Sequence, residues 1–311
     1  MSKKFKWIII VPCALALIGA FVFMLRNAHF SVLDPKGFIA MREKSIIIHA
    51  LLLMLIPAVP VFGFLFFIIW KYREGNATAY YTPEHQGDLR IATLLWTVPS
   101  VIILAIGILN WQTTHELDPS KPLSGAATPL TIQVVSLQWK WLFIYPEQHI
   151  ATVNFVEFPE NTPINFELTS DAPMNSFWIP ELGGQMYAMA GMSTKLHLIA
   201  AHAGEFKGRD AEISGAGFAG MQFAAKAATQ EDFNTWVKSV EQGANPLDNK
   251  NHLDAMEYDA FSKPSMNNSV SYYSSVDKDL YNMIIMKYLS PTTSTEINMT
   301  SALPTIMKIP Q

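Results

Sequence analysis

Residues 209–221 read RDAEISGAGFAGM, with Asp210, Glu212, Ser214, Phe218 and Met221 at offsets 0, 2, 4, 8 and 11. Glycines at 208, 215, 217 and 220 give this stretch the freedom to turn tightly and to take positive φ. The spacing is that of a site, yet the residue types can bind or react with almost nothing. Two carboxylates, a hydroxyl, a thioether and a phenyl ring make no coherent ligand set. The histidines do no better. His49, His85, His115, His149, His197, His202 and His252 form no compact metal spacing, and each reads as an ordinary surface or packed residue. The single cysteine, Cys13, excludes an intrachain disulfide, zinc sites built on cysteine pairs and CxxC redox chemistry. Met174, Met186, Met189, Met192 and Met221 are soft thioethers of the kind that suits copper(I). The competing reading is that flexible methionines fill a core.

The elements that carry these residues are set by composition. Of 311 residues, 50% are hydrophobic and 15% charged, against about a quarter charged in a soluble domain. That deficit points to a membrane protein, and a net charge of −4 gives nucleic acid nothing to bind. Three apolar runs, Trp7–Leu25, Ser45–Trp70 and Ile91–Trp111, approach or exceed the ~20 residues that cross a bilayer. Pro57, Pro60 and Pro99 interrupt the last two without forbidding a span. The first run follows MSKKFK, so residues 1–30 read either as a signal peptide or as an N-terminal anchor. Residues 31–118 read as a helical hairpin with spans at about 45–70 and 91–111. Lys3, Lys4 and Lys6, with Lys71, Arg73 and Arg90 between the later spans, hold those segments in the cytoplasm. Everything after Trp111 then lies outside.

After a Pro/Gly/Ser linker the period changes to two. LTIQVVSLQ, WLFIY, ATVNFVEF, PINFELTS, TKLHLIAA and MQFAAKA are short runs, several of them alternating, which predicts an all-β sandwich over residues 119–228. TQEDFNTWVKSVEQG predicts a helix capped by Thr229, buried along Phe233, Trp236, Val237 and Val240 and ended by Gly243. Residues 229–290 are expected as a helical arm with a second helix near DKDLYNMIIMKYL, and residues 291–311 as a loose tail.

Spans followed by an outer β-domain form the plan of subunit II of the haem-copper oxidases, and four motifs carry that resemblance. LLWTVPSVIILAI resembles the family's Trp-Thr-x-Pro signature, and LQWKWLFIYPE its Trp-x-Trp aromatic stretch. DAPMNSFWIPELGGQMYAMAGM resembles the segment bearing its first metal ligand, and AEISGAGFAGM resembles its ligand loop. In copper-containing members that loop reads Cys-x-Glu-x-Cys-x3-His-x2-Met and holds a dinuclear copper centre with a further upstream His. Here Asp210 and Ser214 stand for the cysteines, Phe218 and Asn175 for the histidines, while Glu212 and Met221 remain. Loss of both thiolates and both imidazoles marks the quinol-oxidising branch, and VLDPKG, HELDPSKPL, MNSFWIP and YAMAGM resemble its cytochrome bo-type members.

The resemblance implies a cupredoxin-like fold for the sandwich and a subunit without catalytic residues or a metal of its own. Haems and copper are then expected in subunit I. The implied partners are subunit I, the other oxidase subunits, membrane lipid, and ubiquinol through the complex. The implied place is the bacterial inner membrane, multi-pass, with the outer domain periplasmic. Two alternatives stay open: a purely structural or assembly subunit, and a periplasmic copper-binding membrane protein. Trp139 and Trp141, which in copper-containing relatives help electrons enter, are expected to pack against the loop or subunit I. The family's proton-entry glutamate, about one turn before the Trp of Trp-Thr-x-Pro, has no counterpart at Ala92 or Thr93. Asp88, one turn further out, is either a displaced replacement for proton entry or a helix cap.

Overall fold

The computed structural model describes residues 16, 19, 20, 23, 31–74, 76, 87–125, 127–243 and 249–289. Most of Trp7–Leu25, including Cys13, lies outside the described residues, as do His85 and the expected tail 291–311.

Two long helices come first, α1 at Phe38–Lys71 and α2 at Leu89–Glu116. Both run through their internal prolines and extend beyond the apolar runs at each end. Large apolar side chains such as Phe64, Phe66, Leu94 and Ile103 stand more than half exposed along them. Such surfaces are stable only in hydrocarbon, so the chain is membrane-anchored. At the outer end of the hairpin, Arg42 grips Glu116 with two parallel hydrogen bonds of 2.9 and 3.0 Å.

No side chain caps α1. Its first N–H groups donate instead to outer-domain carbonyls, Phe38 to Ile199 O at 3.1 Å and Ala40 to Leu182 O at 3.2 Å. Lys36 and Gly37 both donate to Glu181 O, and Ala201 N donates back to Lys36 O at 2.9 Å. Gly37 is required here, because a Cβ would run into the backbone of Leu182.

The outer domain is a two-sheet sandwich. Its strands are β1 Leu130–Leu137, β2 Lys140–Tyr145, β3 Ile150–Val153, β4 Phe155–Pro159, β5 Ile164–Ser170, β6 Asn175–Trp178, β7 Met186–Ala188, β8 Thr194–Leu198, β9 Gly204–Asp210 and β10 Gln222–Ala228. β11 Asn249–Leu253 and β12 Ser271–Val276 follow. One sheet has the order β11-β12-β3-β2-β1-β5-β8 and the other β4-β10-β9-β6-β7. Alternation in β5 points Ile164, Phe166 and Leu168 into the space between the sheets. There they meet Trp141, Phe177 and Phe223, whose rings lie 5.0–5.8 Å apart. Thr229 caps α3 (Gln230–Glu241) by accepting from Asp232 N, and Phe233, Val237 and Val240 close the same core.

The arm is only partly helical. α4 (Ala255–Ser262) and α5 (Leu280–Leu289) alternate with β11 and β12, which extend the larger sheet. Leu253, Tyr258, Tyr273, Leu280 and Ile284 then cover its outer face over Val135, Leu137, Leu142 and Ile144. This third layer explains why WLFIY shows no alternation: β2 is buried on both faces.

Candidate functional site

The loop of residues 210–221 joins β9 to β10 at one end of the sandwich. Asp210, the last residue of β9, is 3% exposed. Its Oδ1 accepts from Ser176 N at 2.8 Å and from Glu212 N at 3.2 Å, and its Oδ2 accepts from Ser214 Oγ at 3.1 Å. Burial raises the Asp210 carboxyl above the ordinary aspartate value, against the pull of those donors. The loop closes through Met221, whose carbonyl accepts Asp210 N at 3.1 Å and whose side chain is 1% exposed in the core. Phe218 opens a single 3-10 turn, Phe218–Gly220, and is partly exposed, as are Glu212 and Ser214. Asn175 is buried at the start of β6, where its Nδ2 donates to Ser136 Oγ at 2.6 Å and to Pro173 O at 2.9 Å.

The structure thus brings the six motif positions to one end of the domain, where the Asp210 carboxylate, the Ser214 hydroxyl and the Asn175 amide nitrogen are spent on holding the loop and its neighbours. They do not fit a dinuclear copper centre, which wants thiolate and imidazole ligands. An amide, a carboxylate, a hydroxyl and a phenyl ring replace both thiolates and both imidazoles, and Glu212 and Met221 remain. Among the described residues, no group of three or more His, Cys, Asp or Glu is placed to hold a metal.

Trp139 lies on this loop. It is the second residue of the turn between β1 and β2 and takes φ 70°, a left-handed conformation that an L-residue adopts only under constraint. The constraint is its ring. Nε1 donates to Ser214 O at 3.3 Å, and the indole fills the space that a side chain at Gly217 would need. Gly215, at φ 115°, passes beneath the same ring. Trp141 is fully buried between the sheets, in the core against which Trp139 also packs, with its backbone N–H held by Asn154 Oδ1 at 2.9 Å.

Asp88 is the N-cap of α2 and accepts from Arg90 N at 2.9 Å. The described histidines are dispersed. His197 holds the linker by pairing with Pro119 O at 2.9 Å, and His49 and His115 bond carbonyls in their own helices. His252 sits on the surface with Ser275 and Asp277. Of the methionines, Met174 and Met192 are exposed, while Met186 packs against the core.

Sequence reading missed the clamps that hold the arm to this end. Lys140 is buried, and its Nζ donates to Lys263 O at 2.9 Å and Ser265 Oγ at 2.7 Å while lying 4.3 Å over the Phe261 ring. Burial, with repulsion from Lys250, lowers its pKa to about 8. Asp171 accepts from Tyr258 Oη at 2.8 Å, from Lys287 Nζ at 2.8 Å and from the Tyr288 hydroxyl. Asn154 Nδ2 donates to Asn268 O at 2.9 Å, and Asn267 abuts the loop at Gly220. A lone lysine in the aromatic stretch WKW was the available signal for the first of these.

Comparison with known proteins supplies the context. A family model described as COX Aromatic Rich Motif matches residues 248–292, which contain β12, α4 and α5. The chain is 49% identical over 265 residues to cytochrome bo(3) ubiquinol oxidase subunit 2 of Pseudomonas putida, covering 85% of this chain and 82% of that one. It is 46% identical over 283 residues to the protein of the same name from Pseudomonas aeruginosa, covering 91% and 81%. Among solved structures, the periplasmic domain of subunit II of cytochrome oxidase from Bradyrhizobium japonicum is 22% identical, with a TM-score of 0.37, over 39% of this chain and 98% of that domain.

Proposed function

Because the chain belongs to the ubiquinol oxidase subunit 2 family, we propose that it serves a membrane terminal oxidase that passes electrons from ubiquinol to oxygen, without a redox centre of its own. The observation that carries the last clause is Asp210. Where copper-containing relatives place a thiolate, this chain buries a carboxylate and saturates it with two backbone N–H groups and a hydroxyl. A quinol is lipid-soluble and can reach the catalytic subunit from within the membrane, so no relay is needed on the outer face. In this reading haems, copper and proton pumping belong to subunit I. The outer domain is periplasmic, and its role is to position and stabilise its neighbours. A reporter fused after Ser120 should be active only outside the cytoplasm, and one fused at Asn76 only inside.

The experiment is deletion and return. A strain lacking this chain should lose quinol oxidase activity and regain it with the wild-type chain, with haem content followed in both membranes. Lost activity with full haem content supports participation in electron transfer; loss of both supports an assembly role. Stoichiometric copper in the outer domain, seen as a near-infrared band, would overturn the reading.

A further inference from the structure

A cavity of about 290 Å³ opens where α1 leaves the sandwich. Val32, Ala40, Trp178 and Pro180 give it apolar walls, Gln185 lines it, and among the described residues Glu43 is its only ionisable group. Trp178 Nε1 is occupied by Gly183 O at 3.1 Å, which leaves the indole as a wall. The opposite side is cut to fit the carboxylate. A Cβ on Gly184 would come within 3.0 Å of Glu43 Oε1, and the Gly184 backbone supplies one hydrogen bond. Among the described residues, no Lys, Arg or His nitrogen lies within 4.0 Å of this carboxylate. Arg42, its neighbour in sequence, is turned to Glu116. A half-sheltered carboxylate in an apolar cleft, with one hydrogen bond and no cation, has its natural complement in a compact ammonium.

Position narrows the source. The apolar run of α1 begins at Ser45, two residues beyond Glu43, about 3 Å along a helix axis. The cavity therefore sits at the headgroup layer, beside exposed Phe38 and Met41. The next residue, Lys44, makes no ion pair among the described residues and is free to meet a phosphate. We propose that this cavity binds the headgroup of an ethanolamine phospholipid, with its ammonium on Glu43. The inference rests on the chain being membrane-anchored and does not require the redox reading above.

The test uses the purified oxidase complex carrying the wild-type chain, Glu43→Gln or Val32→Trp. Val32→Trp keeps the carboxylate and obstructs the cavity from its rim, so it remains informative if Glu43→Gln assembles poorly. Each complex is stripped of lipid in detergent and titrated with dioleoyl phosphatidylethanolamine or dioleoyl phosphatidylglycerol, with bound lipid counted by native mass spectrometry. Loss of one hydrogen bond to a charged group should weaken ethanolamine-lipid binding about tenfold in Glu43→Gln. Val32→Trp should weaken it too, and glycerol-lipid binding should be unchanged by both. Equal ethanolamine-lipid binding by wild type and both variants would overturn the proposal. So would a wild-type preference for the glycerol lipid, or loss of a neighbouring subunit from Glu43→Gln with lipid binding intact, which would assign the cavity to a partner's cation. Quinol oxidase activity of the same preparations reports separately on the proposed function.

Discussion

The indole of Trp139 occupies the place that a side chain at position 217 would take. The loop and the aromatic turn are thus one packing unit, and a methyl group is enough to force them apart. Gly217→Ala should destabilise the chain by about 1–3 kcal/mol, the usual cost of overpacking. Thermal unfolding of the purified complex, with tryptophan fluorescence as the probe, would read this. An unchanged midpoint and emission spectrum would show that the ring is not pinned.

Trp139 also holds its backbone at φ 70°. Removing the ring and relieving the backbone can be separated. Trp139→Ala loses the contacts and keeps the unfavourable φ, whereas Trp139→Gly loses the contacts alone. Trp139→Gly should be the more stable of the two by about 1 kcal/mol. Both variants should lower the amount of assembled complex before they lower turnover per assembled complex. Full assembly with lost turnover would instead place Trp139 in electron transfer.

Asp210 is a carboxyl raised by burial, and its sign follows from linkage. The protonated form is favoured in the fold. Its contribution to stability is therefore full below the unfolded value and is lost as pH rises through the folded value. Asp210→Asn keeps an acceptor for Ser176 N and Glu212 N and removes the titration. The stability of wild type relative to this variant should fall across the window that opens at about pH 4, the unfolded aspartate value. A constant difference across that window, measured by thermal midpoint, would contradict the burial argument.

Lys140 has the opposite titration. Its pKa is lowered to about 8, so between that value and the unfolded one the unfolded chain holds the extra proton. Stability should rise with pH from about 8 to 10. Lys140→Met keeps the stem over Phe261 and abolishes that rise while freeing the arm turn at Lys263 and Ser265. Limited proteolysis of the arm at neutral pH should accordingly be faster in Lys140→Met.

Asp88 is decided by one substitution. Asn caps as well as Asp, so Asp88→Asn should leave assembly intact. Unchanged turnover is the outcome expected from the N-cap geometry at Arg90. Slowed turnover that recovers when Ala92→Glu is added would assign proton entry to this carboxylate.

Which parts of the molecule were legible beforehand follows from how local each signal is. The strands of the sandwich show in period-two runs such as INFELTS, and Thr229 announces its helix by capping chemistry. The loop is legible because its glycines and offsets persist although its ligands do not. The strands of the arm are not, because β11 and β12 form only by joining an existing sheet edge at β3. Lys140, Asn154 and Asp171 escaped for the same reason, since the partners of each lie up to 125 residues away. Gly37 is explained only by the approach of Leu182.

That approach has a mechanical consequence. Because α1 starts inside a mesh of backbone hydrogen bonds, the outer domain does not hang from the membrane on a hinge at this point. Helix and sandwich form one lever with its fulcrum in the bilayer. A thinner membrane that makes the helix lean would swing the far end of the sandwich sideways. The bilayer thickness would then be read out as contact, or loss of contact, on the water side.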